Sequence, residues 1–313
     1  MPLRVLVLSG GPDAEREVSL RGGAAVAQAL RDANEFEVRE ETLAPEFAQR
    51  PLDDMAGALR AIPADVVWPL LHGPFGEGGP LQDVLERDGR PYVGSRPRAA
   101  RRAMDKMATK LVAARLGIAT GEACAFNPRD HACPLALPVV LKPVFEGSTI
   151  GLHVCKDEGA WRHAREESSG AGRPCMVESF LPGREITVGL LQREGAWSAL
   201  PIIEIAAQDG LYDYEAKYVR NDTRYIVDPP LPPGAADAAR DASLRLAQAL
   251  GVRHVARADF IVPEAGGPPS LLEINTMPGF TDHSLVPMAA RAAGLEMSVL
   301  CAAIVRAALG RNA

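Results

Sequence analysis

Short apolar runs alternate with stretches of helical period along the first hundred residues. Arg4-Val5-Leu6-Val7-Leu8 is almost continuously apolar, the pattern of a strand buried on both faces of a parallel sheet. Gly10-Gly11 turns the chain, and residues 18–30 have the spacing of a helix. A second run, residues 65–71, stops at His72-Gly73; a helix over residues 81–88 and a short strand at Tyr92-Val93 follow. Strands alternating with helices predict a small open α/β domain over residues 1–100. Residues 101–116 read as one helix ended by Gly117. Short strands over residues 137–142, 152–155 and 176–178 predict a central α+β domain, residues 101–185. The last domain, residues 186–313, is mainly strands. Its exceptions are an amphipathic helix over residues 235–250, stopped by Gly251, and an Ala-rich closing helix over residues 287–309.

Within that last domain, residues 257–285 concentrate the candidate chemistry. Residues 256–260 and 271–275 both alternate apolar and polar positions, which predicts two strands joined by residues 263–269. A turn centred near Gly266 sets Asp259 opposite Glu273 and Arg257 opposite Asn275, all on one face. Two facing carboxylates repel and destabilise a bare hairpin. A divalent cation between them, with Asn275 as a neutral oxygen ligand, reverses the sign, and Mg²⁺ takes ligands of this kind. A surface hairpin with solvated charges is the alternative reading.

Composition narrows the class. The 313 residues allow two or three domains, and 47% apolar with 24% charged residues is the balance of an ordinary globular protein. A net charge of −6 without a basic block argues against a general nucleic-acid binder. The five cysteines form no C-x-x-C pair, which predicts reduced thiols and no zinc site. The N-terminal apolar run is too short for a membrane helix or signal peptide, so the expected location is the cytoplasm.

Two phosphate-binding fingerprints are missing: no G-x-x-x-x-G-K-[ST], and no fully spaced G-x-G-x-x-G after the first strand. The central domain offers another route. Lys142 closes an apolar strand before the small-residue loop Glu146-Gly147-Ser148-Thr149, whose backbone N–H groups can approach phosphate oxygens. Lys106 is a second candidate phosphate ligand, and Glu178 and Glu185 flank a loop that can take a nucleoside. Glu15 and His72 follow strands of the first sheet, where open α/β sheets bind ligands. Each has a bland counterpart: a helix-end charge for Glu15, a satisfied strand-end histidine for His72, a solvated cation for either lysine.

Taken together, ordered motifs across nearly the whole chain closely resemble the D-alanine–D-alanine ligases of the ATP-grasp superfamily. They are Gly10-Gly11 with Glu15-Arg16-Glu17-Val18-Ser19, Leu71-His72-Gly73 with Gly76-Glu77, Pro91-Tyr92-Val93-Gly94-Ser95, and Met104-Asp105-Lys106. Lys142-Pro143, Glu146-Gly147-Ser148, Gly183-Arg184-Glu185-Ile186-Thr187-Val188-Gly189 and Asp213-Tyr214-Glu215-Ala216-Lys217-Tyr218 follow. Arg257-x-Asp259-Phe260 and Glu273-Ile274-Asn275-Thr276-x-Pro278-Gly279, running on to His283-Ser284-Leu285, complete the set.

The resemblance implies a three-domain ATP-grasp fold whose C-terminal domain has a mixed sheet, with ATP between the central and C-terminal domains. The implied enzyme is a cytoplasmic homodimer that joins two D-alanines through an acyl phosphate, for peptidoglycan precursor synthesis. It implies that Asp259, Glu273 and Asn275 hold two Mg²⁺ or Mn²⁺ ions and that Lys106, Lys142, Glu178, Glu185 and Lys217 face ATP. Glu15 holds the first D-alanine's ammonium with His72 nearby, and Ser148 and Tyr218 tie a mobile loop over the site. Arg257 and Gly279 are the oxyanion donors, and Ser284 and Leu285 lie near the second D-alanine's carboxylate. Tyr218 also favours the dipeptide over a D-alanyl-D-lactate product. A sister ligase using D-lactate or D-serine, or a binding-only nucleotide sensor, are the competing readings. Departures from the family pattern are Gly78 for an aspartate, Asp83 for a glycine, Asp13-Ala14 near a common serine, and Thr149 for a second serine.

Overall fold

A computed structural model of the chain describes residues 2–206, 223–281 and 283–310. The first apolar run becomes β1 (Leu3–Gly10), the centre of a parallel sheet between β2 (Phe36–Leu43) and β3 (Val66–Pro69). Its side chains alternate between two cores. Val5 and Val7 pack with Val26 and Leu30 of α1 (Arg16–Asp32). Leu6 and Leu8 pack with Leu59 of α2 (Leu52–Arg60) and Leu85 of a helix spanning Pro80–Asp88. Both faces are therefore covered. The edge strand β2 was not expected, because its Glu37, Arg39, Glu40 and Glu41 mask the apolar alternation.

Four antiparallel strands form the second sheet, in the order β4-β7-β5-β6: β4 (Ala123–Ala125), β5 (Val139–Pro143), β6 (His153–Cys155) and β7 (Cys175–Ser179). The helix Glu158–Gly170 covers it with the buried Trp161.

In the third sheet, β8 (Gly183–Arg193) pairs with β9 (Ala196–Ala199) and lies between β10 (Ile203–Ala206) and β12 (Val255–Pro263); β11 (Arg224–Val227) flanks β10 and β13 (Ser270–Asn275) follows β12. Where a mixed sheet was expected, every described strand pair in it is antiparallel. Ala256, Ala258 and Phe260 of β12 pack against the helix Ala235–Leu250 and against Ala103, Ala113 and Ile118. Period two turns Arg257 and Asp259 to the opposite face, where the loops of the first sheet arrive. Further along that face, Val255, Leu191 and Ile203 share a core with the closing helices and with Trp68 and Leu70 of the first sheet.

Two expected helices are each broken. The helix expected over residues 101–116 is Pro97–Met104 followed by Lys106–Arg115, because Asp105 adopts extended backbone and caps the second with its carboxylate on Ala108 N–H, 2.9 Å. The closing helix is Leu285–Ala292 and Met297–Ala308, bent by 106° at a break that contains Gly294 in left-handed backbone (φ +79°). No single helix among the described residues is long and apolar enough to cross a membrane.

Candidate active site

The strand pair β12–β13 has the expected register: Arg257 faces Asn275 and Asp259 faces Glu273. An irregularity after Asp259 shifts the pairing to Phe260–Leu271. The chain supplies its own cations to this acidic face. Arg257 donates to both Asp259 oxygens, Nε to Oδ1 at 2.9 Å and Nη2 to Oδ2 at 2.8 Å. Thr187 Oγ1 and Asn275 Nδ2 donate to the same carboxylate at 2.6 and 3.2 Å. Lys106 Nζ lies 3.4 Å from Glu273 Oε2. Arg257 and Lys106 thus offset part of the repulsion expected from the sequence.

Two cavities meet at this hairpin. The larger, about 330 Å³, lies between the second and third sheets and is lined by Lys106, Lys142, Glu178, Glu185, Asp259 and Glu273. The smaller, about 60 Å³, is lined by Glu15, His72, Arg257, Asn275, Gly279, Ser284 and Leu285. Gly147, Ser148 and Glu273 line both. The structure therefore gathers 14 of the 16 expected site residues around two adjoining spaces, as those two lining sets show. Lys217 and Tyr218 lie outside the described residues.

In the larger cavity, Lys142 at the end of β5 reaches Glu178 at 2.5 Å, and Lys110 pairs with the other Glu178 oxygen. Lys110 also donates to Thr120 Oγ1 and to Gly121 O at 3.1 Å. Burial lowers the Lys110 pKa and the charge of Glu178 opposes that shift. Two buried lysines on one carboxylate leave a local excess of positive charge, an arrangement suited to a polyanion. Lys106 Nζ donates to Glu146 O at 2.5 Å, holding the loop that follows β5. Ser148 and Thr149 on that loop have positive φ, 51° and 63°, rare for residues with side chains.

In the smaller cavity, Ser148 Oγ donates to Glu15, which sits at the N-terminal end of α1. His72 is buried, and burial outweighs the nearby Glu15 charge to lower its pKa. A neutral imidazole that donates Nδ1–H to Met277 O, 3.1 Å, keeps a lone pair on Nε2. That Nε2 is buried without a hydrogen-bond partner among the described residues. A carboxylate and an imidazole acceptor in one small space suit a small ammonium group. Ser284 Oγ accepts Thr281 N–H at 2.9 Å, and a Cβ on Gly279 would lie 2.8 Å from it.

Sequence reasoning gave no role to four residues here. Glu77, quoted only within a motif, accepts Gly73 N–H at 3.2 Å and faces His72 at 4.0 Å. Burial and then Glu15 push its carboxyl up to about 8. Asp13 accepts Phe75 and Gly76 N–H at 3.0 and 3.1 Å and is raised by burial to about 6. Lys110 had a signal, since it is one helical turn beyond Lys106 and shares its face. Thr187, like Glu77 quoted only within a motif, gave no sign of its partner Asp259, 72 residues away. At the departures, a side chain on Gly78 would meet Pro74 O at 2.3 Å, and Asp83 pairs with Arg101, which packs on Gly79.

Asp259, Glu273 and Asn275 offer an all-oxygen donor set on adjacent facing pairs where the cavities meet, which fits a hard divalent cation. No group of three or more His, Cys, Asp or Glu among the described residues is placed to hold a metal, because the third member here is an amide.

Comparison with known proteins places this geometry in a family. A family model described as "D-ala D-ala ligase C-terminus" matches residues 124–306. A D-alanine–D-alanine ligase of Bordetella petrii is 40% identical, covering 96% of this chain and 91% of that protein. The ligase of Syntrophotalea carbinolica is 38% identical, covering 97% and 96%. Among solved structures, a D-alanine–D-alanine ligase from Bacillus anthracis superposes with a TM-score of 0.82 at 31% identity, covering 98% of this chain and 97% of that one. Its complex with ATP gives 0.80 at 28%, with the same coverage. The mixed α/β architecture of three sheets is the ATP-grasp fold expected from the sequence. With cavities, hairpin and full-length relatives in agreement, the chain belongs to the D-alanine–D-alanine ligase family.

Proposed function

We propose that this protein is an ATP-dependent ligase that joins two D-alanines through D-alanyl phosphate, releasing D-Ala-D-Ala, ADP and phosphate for peptidoglycan precursor synthesis. The observation that carries the reading is that Glu273, Gly147 and Ser148 line both cavities. A nucleotide in the large space and an amino acid in the small one then meet at the hairpin, where phosphoryl transfer needs them.

The lysines Lys106 and Lys142 draw the phosphates, and Glu178 and Glu185 face the nucleoside; Lys217, outside the described residues, is a further proposed ATP ligand. Asp259, Glu273 and Asn275 would hold Mg²⁺ or Mn²⁺, two ions in all, which when bound supply charge neutralisation of the transferring phosphoryl group. Glu15, fixed by Ser148, takes the first D-alanine's ammonium together with His72 Nε2, leaving its carboxylate toward Glu273. Ser284 and Leu285 receive the second D-alanine's carboxylate at the start of a helix. When its amine attacks the acyl phosphate, Arg257 and the Gly279 N–H stabilise the oxyanion, each such donor being worth about 3–4 kcal/mol of barrier. For Tyr218, outside the described residues, the proposed role is selection of the dipeptide product. We further propose a cytoplasmic homodimer, with domains over residues 1–100, 101–185 and 186–313.

Phosphate release with ATP, Mg²⁺ and D-alanine tests the reading, with product mass measured when D-lactate or D-serine is added. Turnover that needs one of those second substrates, with none on D-alanine alone, would sink the assignment.

A further inference from the structure

Where the first sheet meets the third, the chain builds a seam to which none of the roles above is assigned. Residues 91–94 run beside β3, with Val93 N–H donating to Val67 O at 2.8 Å, and end at Gly94. Facing them, just before β12, stand Arg253 and His254. The Arg253 guanidinium donates twice to Gly94 O, at 3.1 and 2.9 Å, and lies 5.0 Å over the Tyr92 ring. His254 Nδ1 accepts the Gly94 N–H at 3.0 Å. Two consecutive side chains thus take both backbone polar groups of one glycine.

The backbone at His254 is unusual. Its φ is +67°, and Val255 N–H donates to Arg253 O at 2.8 Å, which makes a γ-turn of the strained, positive-φ kind. The turn is held to β8 from the other side: His254 N–H donates to Gln192 Oε1 at 3.1 Å, and Gln192 N–H donates to His254 O at 2.8 Å. Burial and the neighbouring Arg253 push the imidazole down to about 3, so the ring is neutral and Nδ1 keeps the lone pair that Gly94 requires. A residue held in sparsely populated backbone needs surroundings that over-determine it, and such positions cluster at functional sites.

The seam leads to the smaller cavity by two routes. Gly94 has φ +102°, and a Cβ there would lie 2.8 Å from Met277 Cε, so the turn packs directly on Met277. Met277 O in turn receives the Nδ1–H of His72, whose Nε2 has no hydrogen-bond partner among the described residues. Along the other route, Arg257 lies three residues beyond His254 on the strand that the turn begins.

We propose that His254 is a positioning residue for the amino-acid cavity, whose γ-turn and hydrogen bond to Gly94 set Glu15 and His72 of the first sheet against Arg257 on the catalytic strand. The inference rests on the ligase reading above for the substrate it concerns. It touches the amino-acid side of the site and leaves unchanged the nucleotide cavity, whose lining contains none of Gly94, Arg253, His254 and Met277.

The test compares wild type with His254→Gly and His254→Asn. Glycine relieves the backbone and removes the acceptor; asparagine keeps an acceptor and tolerates left-handed backbone. Loss of a buried hydrogen-bond acceptor is expected to raise KM for D-alanine by about tenfold in the glycine variant, with KM for ATP within about twofold of wild type. The asparagine variant should return KM for D-alanine to within about threefold. Amide exchange at Gly94, followed by mass spectrometry, should be slow in wild type and His254→Asn and fast in His254→Gly. An unchanged KM for D-alanine in His254→Gly overturns the proposal. So does a parallel rise in both KM values that asparagine does not rescue, which marks a purely structural role. Rapid exchange at Gly94 in wild type overturns it without any variant. An inactive wild type fails the ligase reading instead, and with it the substrate assigned here.

Discussion

Arg257 and Asp259, two residues apart on one strand, form a two-pronged ion pair with N–O distances of 2.9 and 2.8 Å, directly opposite Glu273 and Asn275. The residue proposed to stabilise the oxyanion therefore also balances a proposed metal ligand. One guanidinium thus offsets part of the negative charge on this face. A planar fork suits this double contact, and a lysine would not reproduce it.

Removing that group should separate catalysis from nucleotide binding. Arg257→Ala is expected to leave ATP affinity within about twofold and to lower turnover by about 10²-fold or more. Phosphate release at saturating substrate and an ATP titration measure the two effects. Near-normal turnover would show that Arg257 is not the oxyanion donor.

Glu77 predicts a pH-dependent stability. Its carboxyl titrates at about 8 in the folded chain, against an ordinary value of 4.5. Between these values the folded state holds the proton that the unfolded state has lost, so stability falls as pH rises. The contribution is complete below about pH 4.5 and gone above about pH 8. Glu77→Gln keeps an acceptor for Gly73 N–H and removes the charge. Melting temperatures should match wild type near the acidic end of this window and exceed it above the alkaline end. Parallel curves for the two proteins would contradict the assignment.

Ser148 donates to Glu15, and both are buried beside the small cavity. Ser148→Ala should raise KM for D-alanine by about tenfold, because Glu15 loses a hydroxyl donor where water cannot readily replace it. Steady-state kinetics with D-alanine as the varied substrate give the answer. A KM equal to wild type would detach Ser148 from binding of the first substrate.

Lys110 is the stability counterpart. Its ammonium is met by Glu178, Thr120 and Gly121, whereas Glu178 keeps Lys142 at 2.5 Å if Lys110 is lost. Lys110→Met is expected to cost about 2–3 kcal/mol, toward the low end for breaking a buried pair because one partner survives. Urea unfolding measures it. A cost below about 0.5 kcal/mol would place Lys110 among ordinary surface positions.

How much of this was legible in sequence follows from how local each feature is. Period two and a Gly-rich turn were enough to pair Arg257 with Asn275 and Asp259 with Glu273, because a one-residue slip would expose the apolar set of Ala256, Ala258 and Phe260. The helix Ala235–Leu250 and its stop at Gly251 were equally plain, since apolar period and a left-handed cap are both written in neighbouring residues. Breaks at Asp105 and Gly294 were missed because helical period continues across them and only cap geometry reveals the interruption.

By itself, then, the sequence determined most of the secondary-structure order, though not β2 or the two helix breaks, together with the hairpin register and a set of candidate site residues. Tertiary structure alone decided what those side chains touch. Arg257 on Asp259 is a choice of rotamer, Thr187 reaches Asp259 across 72 residues, and Glu77 becomes a high-pKa carboxyl only through burial beside Glu15. Charge, solvation and hydrogen bonding at this site depend on distances between segments far apart in the chain. A pattern of period two or 3.6 carries no information about those distances.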